Sequence, residues 1–135
     1  MDRDGDLDVI AAAYYGDAPG LGRNGRFAWF ENLDGDGKRW TQHLVGNNFW
    51  GASLIDAGDV DVDLVGASML TNGLYEQDAD IAWFENLDGK GTQWALHSLD
   101  DDLPDASEAY FADLDGDGDL DVVAANADPT GPSTF

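Results

Sequence analysis

The chain has 135 residues, and 28 acidic against 6 basic side chains give it a formal net charge of −22. A chain this acidic is repelled by phosphate backbones and anionic lipid, so we expect neither nucleic-acid nor membrane binding. It contains no cysteine, which excludes disulfides and thiolate metal sites, whereas its 43% hydrophobic residues favour a folded domain over disorder.

Two short motifs recur along the chain and define a unit of about 55 residues. The aromatic motif Ala-Trp-Phe-Glu-Asn stands at 28–32 and again at 82–86. An acidic run followed by a short apolar segment stands at 2–10, again at 56–65 and again at 113–123. The chain therefore holds a little more than two copies of one unit.

Taken in chain order, residues 1–51 are predicted to form a partial blade with strands two to four, 52–100 a whole blade, and 106–135 a partial blade with strands one and two. Together, 1–135 form a single fragment of a repeat domain. In the whole blade we predict strands at 52–55, 64–68, 81–85 and 94–99. No segment has a sustained apolar period near 3.6, so no helix is predicted.

Four short strands in each unit, with an aromatic motif per unit, predict an all-β fold of β-propeller-type blades, each with four antiparallel strands. Strands two and three are apolar on both faces, as at 9–11 and 82–84, which indicates sheets stacked on both sides. A closed propeller needs about 4–8 blades, so this chain is predicted to be a partial propeller, either a fragment of a larger protein or a truncated reading frame.

The last acidic run predicts a metal-binding loop. Asp113, Asp115, Asp117 and Asp121 alternate along it, and Gly118 permits a sharp turn. Hard cations such as Ca²⁺ prefer several oxygen ligands, and Asp119 would offer its backbone carbonyl. An EF-hand is excluded, because that loop needs a Glu at its twelfth position and flanking helices. The simpler alternative is a tight turn, but mutual repulsion of the carboxylates favours a cation.

The other two acidic runs match this pattern less well. The first, with Asp2, Asp4, Asp6 and Asp8, has no residue at position one, so it is interpreted as a partial site. The middle run is one residue short, and Val60 replaces the glycine. Its acidic residues, interpreted as a degenerate site or a carboxylate-rich turn, are Asp56, Asp59, Asp61 and Asp63.

The Asp-x-Asp-x-Asp-Gly-x-x-Asp loop between two strands, followed by a Trp-Phe-Glu-Asn strand, resembles the FG-GAP/VCBS repeat family. These are calcium-binding blades of the kind found in integrin α-subunit propellers and in many secreted bacterial proteins. The resemblance implies Ca²⁺ ligation by Asp113, Asp115, Asp117 and Asp121, with the carbonyl of Asp119. It also implies an extracellular or cell-surface location and an adhesion or ligand-binding role.

Two Glu and two His side chains are candidates for acid–base chemistry. Glu31 and Glu85 stand at equivalent positions in successive units, and so do His43 and His97. A protein usually has one active site, whereas a structural contact that stabilises a repeat is copied into each unit. We therefore predict structural roles for all four and no catalytic residue in this chain.

The sequence supports two functional hypotheses. The first is a Ca²⁺-binding repeat fragment of an extracellular binding or adhesion protein, which would have no catalysis of its own and an unidentified protein or glycan ligand. The second is a fragment of a propeller enzyme, of the sugar lyase or dehydratase type, whose active site lies outside this chain. Open blade edges also predict a homo-oligomer, because exposed strand edges invite pairing with another chain.

Overall fold

Nine antiparallel β-strands form three sheets in the computed structural model, which describes residues 1–14, 25–47, 49, 51–58, 62–68, 81–100, 103 and 106–126. The first sheet contains β1 (Val9–Ala13), β2 (Arg26–Asn32) and β3 (Trp40–Asn47); the middle sheet contains β4 (Ala52–Gly58), β5 (Asp63–Ser68), β6 (Ile81–Asn86) and β7 (Trp94–Asp100); the last sheet contains β8 (Ala106–Ala112) and β9 (Asp121–Asn126). Within each sheet the strands follow in chain order. One sheet thus falls within each of the three predicted units.

The all-β prediction is confirmed, and no helix is found among the described residues. Each of the four strands predicted in the second unit is contained in the corresponding strand of the middle sheet. Nor does the described part of the chain include any helix that is long and apolar enough to cross a membrane.

The recurrent motif after the aromatic strand forms a tight hairpin turn. In the β6–β7 turn, Leu87 N donates to Gln93 O at 2.9 Å, and Asn86 Oδ1 accepts from Gly91 N at 3.0 Å. Gly91 has a φ of +67°, a conformation that side chains with a Cβ rarely adopt. The β2–β3 turn has the same bonds at equivalent residues, which explains why the motif is copied.

Aromatic packing joins the first and middle sheets. Phe27, Phe49 and Phe84 contact one another with ring centroids 5.0–5.4 Å apart, and all three are buried. The close approach depends on Gly66 in β5, because a Cβ there would lie 2.6 Å from the Phe27 ring. Burial of each phenylalanine contributes about 1.5–3 kcal/mol, so this cluster is a main source of stability.

Smaller side chains join the middle and last sheets. Val65, Ala67 and Ile81 pack against Ala106 and Ala109, and all five are buried. Strand β5 is therefore covered on both faces, as its apolar sequence predicts. Strand β9 has a similar sequence but is mostly exposed, because no described sheet covers its outer face.

Candidate metal centre

The candidate metal centre is the loop between β8 and β9. Ala112 pairs with Asp121 at the end of the ladder, so residues 113–120 project beyond the sheet. Gly116 and Gly118 have φ values of +79° and +99°, and nothing lies within 4 Å of the position where either would carry a Cβ. The two glycines thus curl the loop without steric strain.

Backbone amides hold the carboxylates of this loop in place. Asp113 accepts at both oxygens, from Gly116 N at 2.8 Å and from Gly118 N at 3.2 Å. Asp115 Oδ1 accepts from Asp117 N at 3.2 Å, and Asp117 Oδ1 accepts from Asp119 N at 2.9 Å. These three carboxylates, although exposed, therefore accept bonds from the loop that carries them.

Three of the five predicted ligands come together. Asp113, Asp115 and Asp117 are exposed, and each offers a carboxylate oxygen within 4.8 Å of the other two. Oxygens bound to one calcium at 2.3–2.6 Å lie at most about 5 Å apart, so this spacing fits the ion. Asp119 and Asp121 are outside the group, and Asp121 Oδ2 accepts from Leu114 N at 3.0 Å. Their predicted roles as ligands stay predictions.

The first acidic loop reproduces part of this geometry. Asp2 Oδ1 accepts from Asp4 N at 3.2 Å, and Asp4 Oδ1 accepts from Asp6 N at 2.9 Å, as at the equivalent residues of the last loop. The amino group of Met1 forms an ion pair with Asp8, at the place where Leu114 N meets Asp121. The first loop thus reproduces the bonds that Asp115 and Asp117 accept in the last loop.

Desolvation and neighbouring carboxylates change the proton affinity of Asp6 in the first loop. The pKa of Asp6 is raised above its ordinary value, first by desolvation and then by repulsion from Asp4, Asp2, Asp8 and Asp34. A cation would relieve that repulsion, and for the same reason protonation relieves it.

The structure corrects the alignment of the middle run. Gly58 pairs with Asp63, which leaves only residues 59–62 between β4 and β5, whereas 113–120 separate β8 from β9. The middle loop is thus four residues shorter, not one. Asp56 lies within β4, where its Oδ2 accepts from Phe111 N at 3.1 Å, so it belongs to the contact between sheets and not to a loop.

The carboxylate of Asp63 also accepts hydrogen bonds from the protein, in this case from its own sheet. Its Oδ1 accepts from Asn86 N at 2.9 Å, and its Oδ2 accepts from the indole Nε1 of Trp83 at 3.2 Å. Asp8 makes the equivalent bond to Asn32 N at 3.0 Å. The Asp that ends the first acidic run and the Asp that ends the middle run therefore each accept a hydrogen bond from the third strand of their unit, β2 and β6. Asp59 and Asp61, predicted as further ligands, lie outside the described residues.

The repeated Glu and His side chains form matching pairs. His43 Nε2 lies 2.7 Å from Glu31 Oε2, and its ring stacks on Trp29 at 4.3 Å. His97, Glu85 and Trp83 repeat this arrangement at 3.0 Å and 4.4 Å. The same three-residue set thus occurs in two sheets, and its structural role stays a prediction.

One contact between sheets was not predicted from the sequence. Trp29 Nε1 in β2 donates to Gly91 O in the β6–β7 turn at 2.9 Å, and Trp29 is 1% exposed. The sequence signal that could have predicted this contact is the recurrence of one tryptophan and one turn glycine in each unit. Phe49 lies outside the repeated motifs, and the structure places it in the core between the first and middle sheets.

Comparison with protein families matches an FG-GAP-like repeat to residues 58–124, about half of the chain. The match includes β5 to β8 and the whole candidate metal loop. No curated protein and no solved structure matched the chain.

Proposed function

We propose that this chain, which belongs to the FG-GAP-like repeat family through residues 58–124, is a calcium-stabilised set of blades from an extracellular binding protein. FG-GAP repeats form β-propeller blades, and the three stacked sheets agree with that architecture. In this proposal the blades present a ligand-binding surface, and the ion stabilises the loop that ends the last sheet.

The observation that carries the proposal is the group of Asp113, Asp115 and Asp117. Three carboxylates held within 4.8 Å of one another repel, and their loop keeps them together through backbone amides. All the donors are hard oxygen atoms, which favour Ca²⁺ over Zn²⁺. When bound, the ion would neutralise these charges and cross-link the loop. Asp113, Asp115 and Asp117 would hold it.

An extracellular setting suits this site. The three side chains are exposed and come from one short loop, so we expect weak binding. Extracellular calcium modules bind with dissociation constants of about 10⁻⁴–10⁻³ M, because the ion is abundant there. The net charge of −22 also supports a protein whose acidic loops are partly neutralised by cations.

The proposal assigns no catalysis to the chain. Its carboxylate–imidazole pairs, Glu31 with His43 and Glu85 with His97, recur in two sheets and stack on a tryptophan in each. A reaction centre would be expected once, with groups that differ from those of the neighbouring unit.

The experiment is thermal unfolding of the 135-residue chain in chelator, in Ca²⁺ and in Mg²⁺. At a calcium concentration 100 times the dissociation constant, we expect about 2.7 kcal/mol of added stability. The double variant Asp115→Asn/Asp117→Asn should lose this gain. The matched control, Asp36→Asn/Glu108→Gln, removes two exposed charges elsewhere and should keep it. Identical melting curves in chelator and calcium would refute the proposal.

A further inference from the structure

We draw no further inference here: the strongest candidate, the cleft of about 380 Å³ beside Trp83 between the middle and last sheets, carries none, because nothing in the structure shows what covers it next to β8 and β9.

Discussion

The last and middle acidic runs contain similar numbers of aspartates but use them in opposite ways. In the last run, eight residues separate paired Ala112 and Asp121, and three carboxylates converge at the surface. In the middle run, four residues separate paired Gly58 and Asp63, and the carboxylates of Asp56 and Asp63 accept bonds from the protein. An acidic pattern therefore brings carboxylates together only where the loop is long enough for its side chains to meet.

The largest expected effect comes from exchanging the loops. Replacing residues 59–62 with the sequence of 113–120 should create a second calcium site, since the flanking pairs Gly58–Asp63 and Ala112–Asp121 are equivalent. At 100 times the dissociation constant, the added site should contribute about 2.7 kcal/mol more stability. Titration calorimetry reports the number of sites. The same insertion with asparagine at its first, third and fifth positions is the control, and an unchanged stoichiometry would contradict the loop-length argument.

The next largest effect on stability is expected from removing the Asp63 carboxylate. Asp63→Ala leaves Asn86 N and Trp83 Nε1 without their acceptor, which should cost about 2–3 kcal/mol of unfolding free energy in chelator. Asp121→Ala removes one exposed bond and should cost less. Calcium affinity should show the reverse order, with the greater loss in Asp121→Ala. Denaturant unfolding measures the stability of both variants, and calcium titration measures their affinity. Equal stability losses in the two variants would contradict the difference between the middle and last runs.

A smaller effect is expected at Asp56. Asp56→Ala removes the acceptor for Phe111 N between β4 and β8 and should cost about 1 kcal/mol. Asp56→Asn keeps an oxygen at that place and should retain most of the stability. Calcium-induced stabilisation should be the same in both variants and in the parent chain. A smaller calcium-induced stabilisation in Asp56→Asn than in the parent chain would indicate that Asp56 is a calcium ligand after all.

The smallest expected effect concerns the pKa of Asp88 in the β6–β7 turn, where the carboxylate is held by hydrogen bonds. The Thr92 hydroxyl, followed by the amides of Lys90 and Thr92, lowers the pKa of Asp88 despite desolvation. Stability from Asp88 is therefore present above its unfolded-state pKa and is lost as pH falls through its folded-state pKa. Thr92→Val should raise that pKa toward the ordinary value, as measured by NMR titration, whereas Thr41→Val should leave it unchanged.

Asp6 should titrate in the opposite sense. Its folded-state pKa is raised, so the folded chain binds the proton more tightly than the unfolded chain does. Its contribution favours folding below the unfolded-state pKa and is lost as pH rises through the folded-state pKa. If the pKa of Asp6 proved lower than that of Asp88, the contrast between crowded and hydrogen-bonded carboxylates would fail.

Most of the strand pattern was predictable from local sequence, because short apolar runs and turn residues act over a few neighbours. The four strands of the middle sheet and the position of the last loop follow from such signals. The place of Asp56 did not, because sequence alignment matched it by its carboxylate, whereas the pairing of Gly58 with Asp63 decides the register.

The sequence by itself determined the repeat, the all-β architecture and the residues that can offer oxygen to a cation, since these depend on residue type and spacing. Only the tertiary structure decided which carboxylates are free to converge and which accept bonds from neighbouring strands. It also showed that Trp29 is seated against Gly91 while Trp83 faces a cleft. The reason is physical: such contacts depend on which sheet lies next to which, and residues far apart in the chain make them.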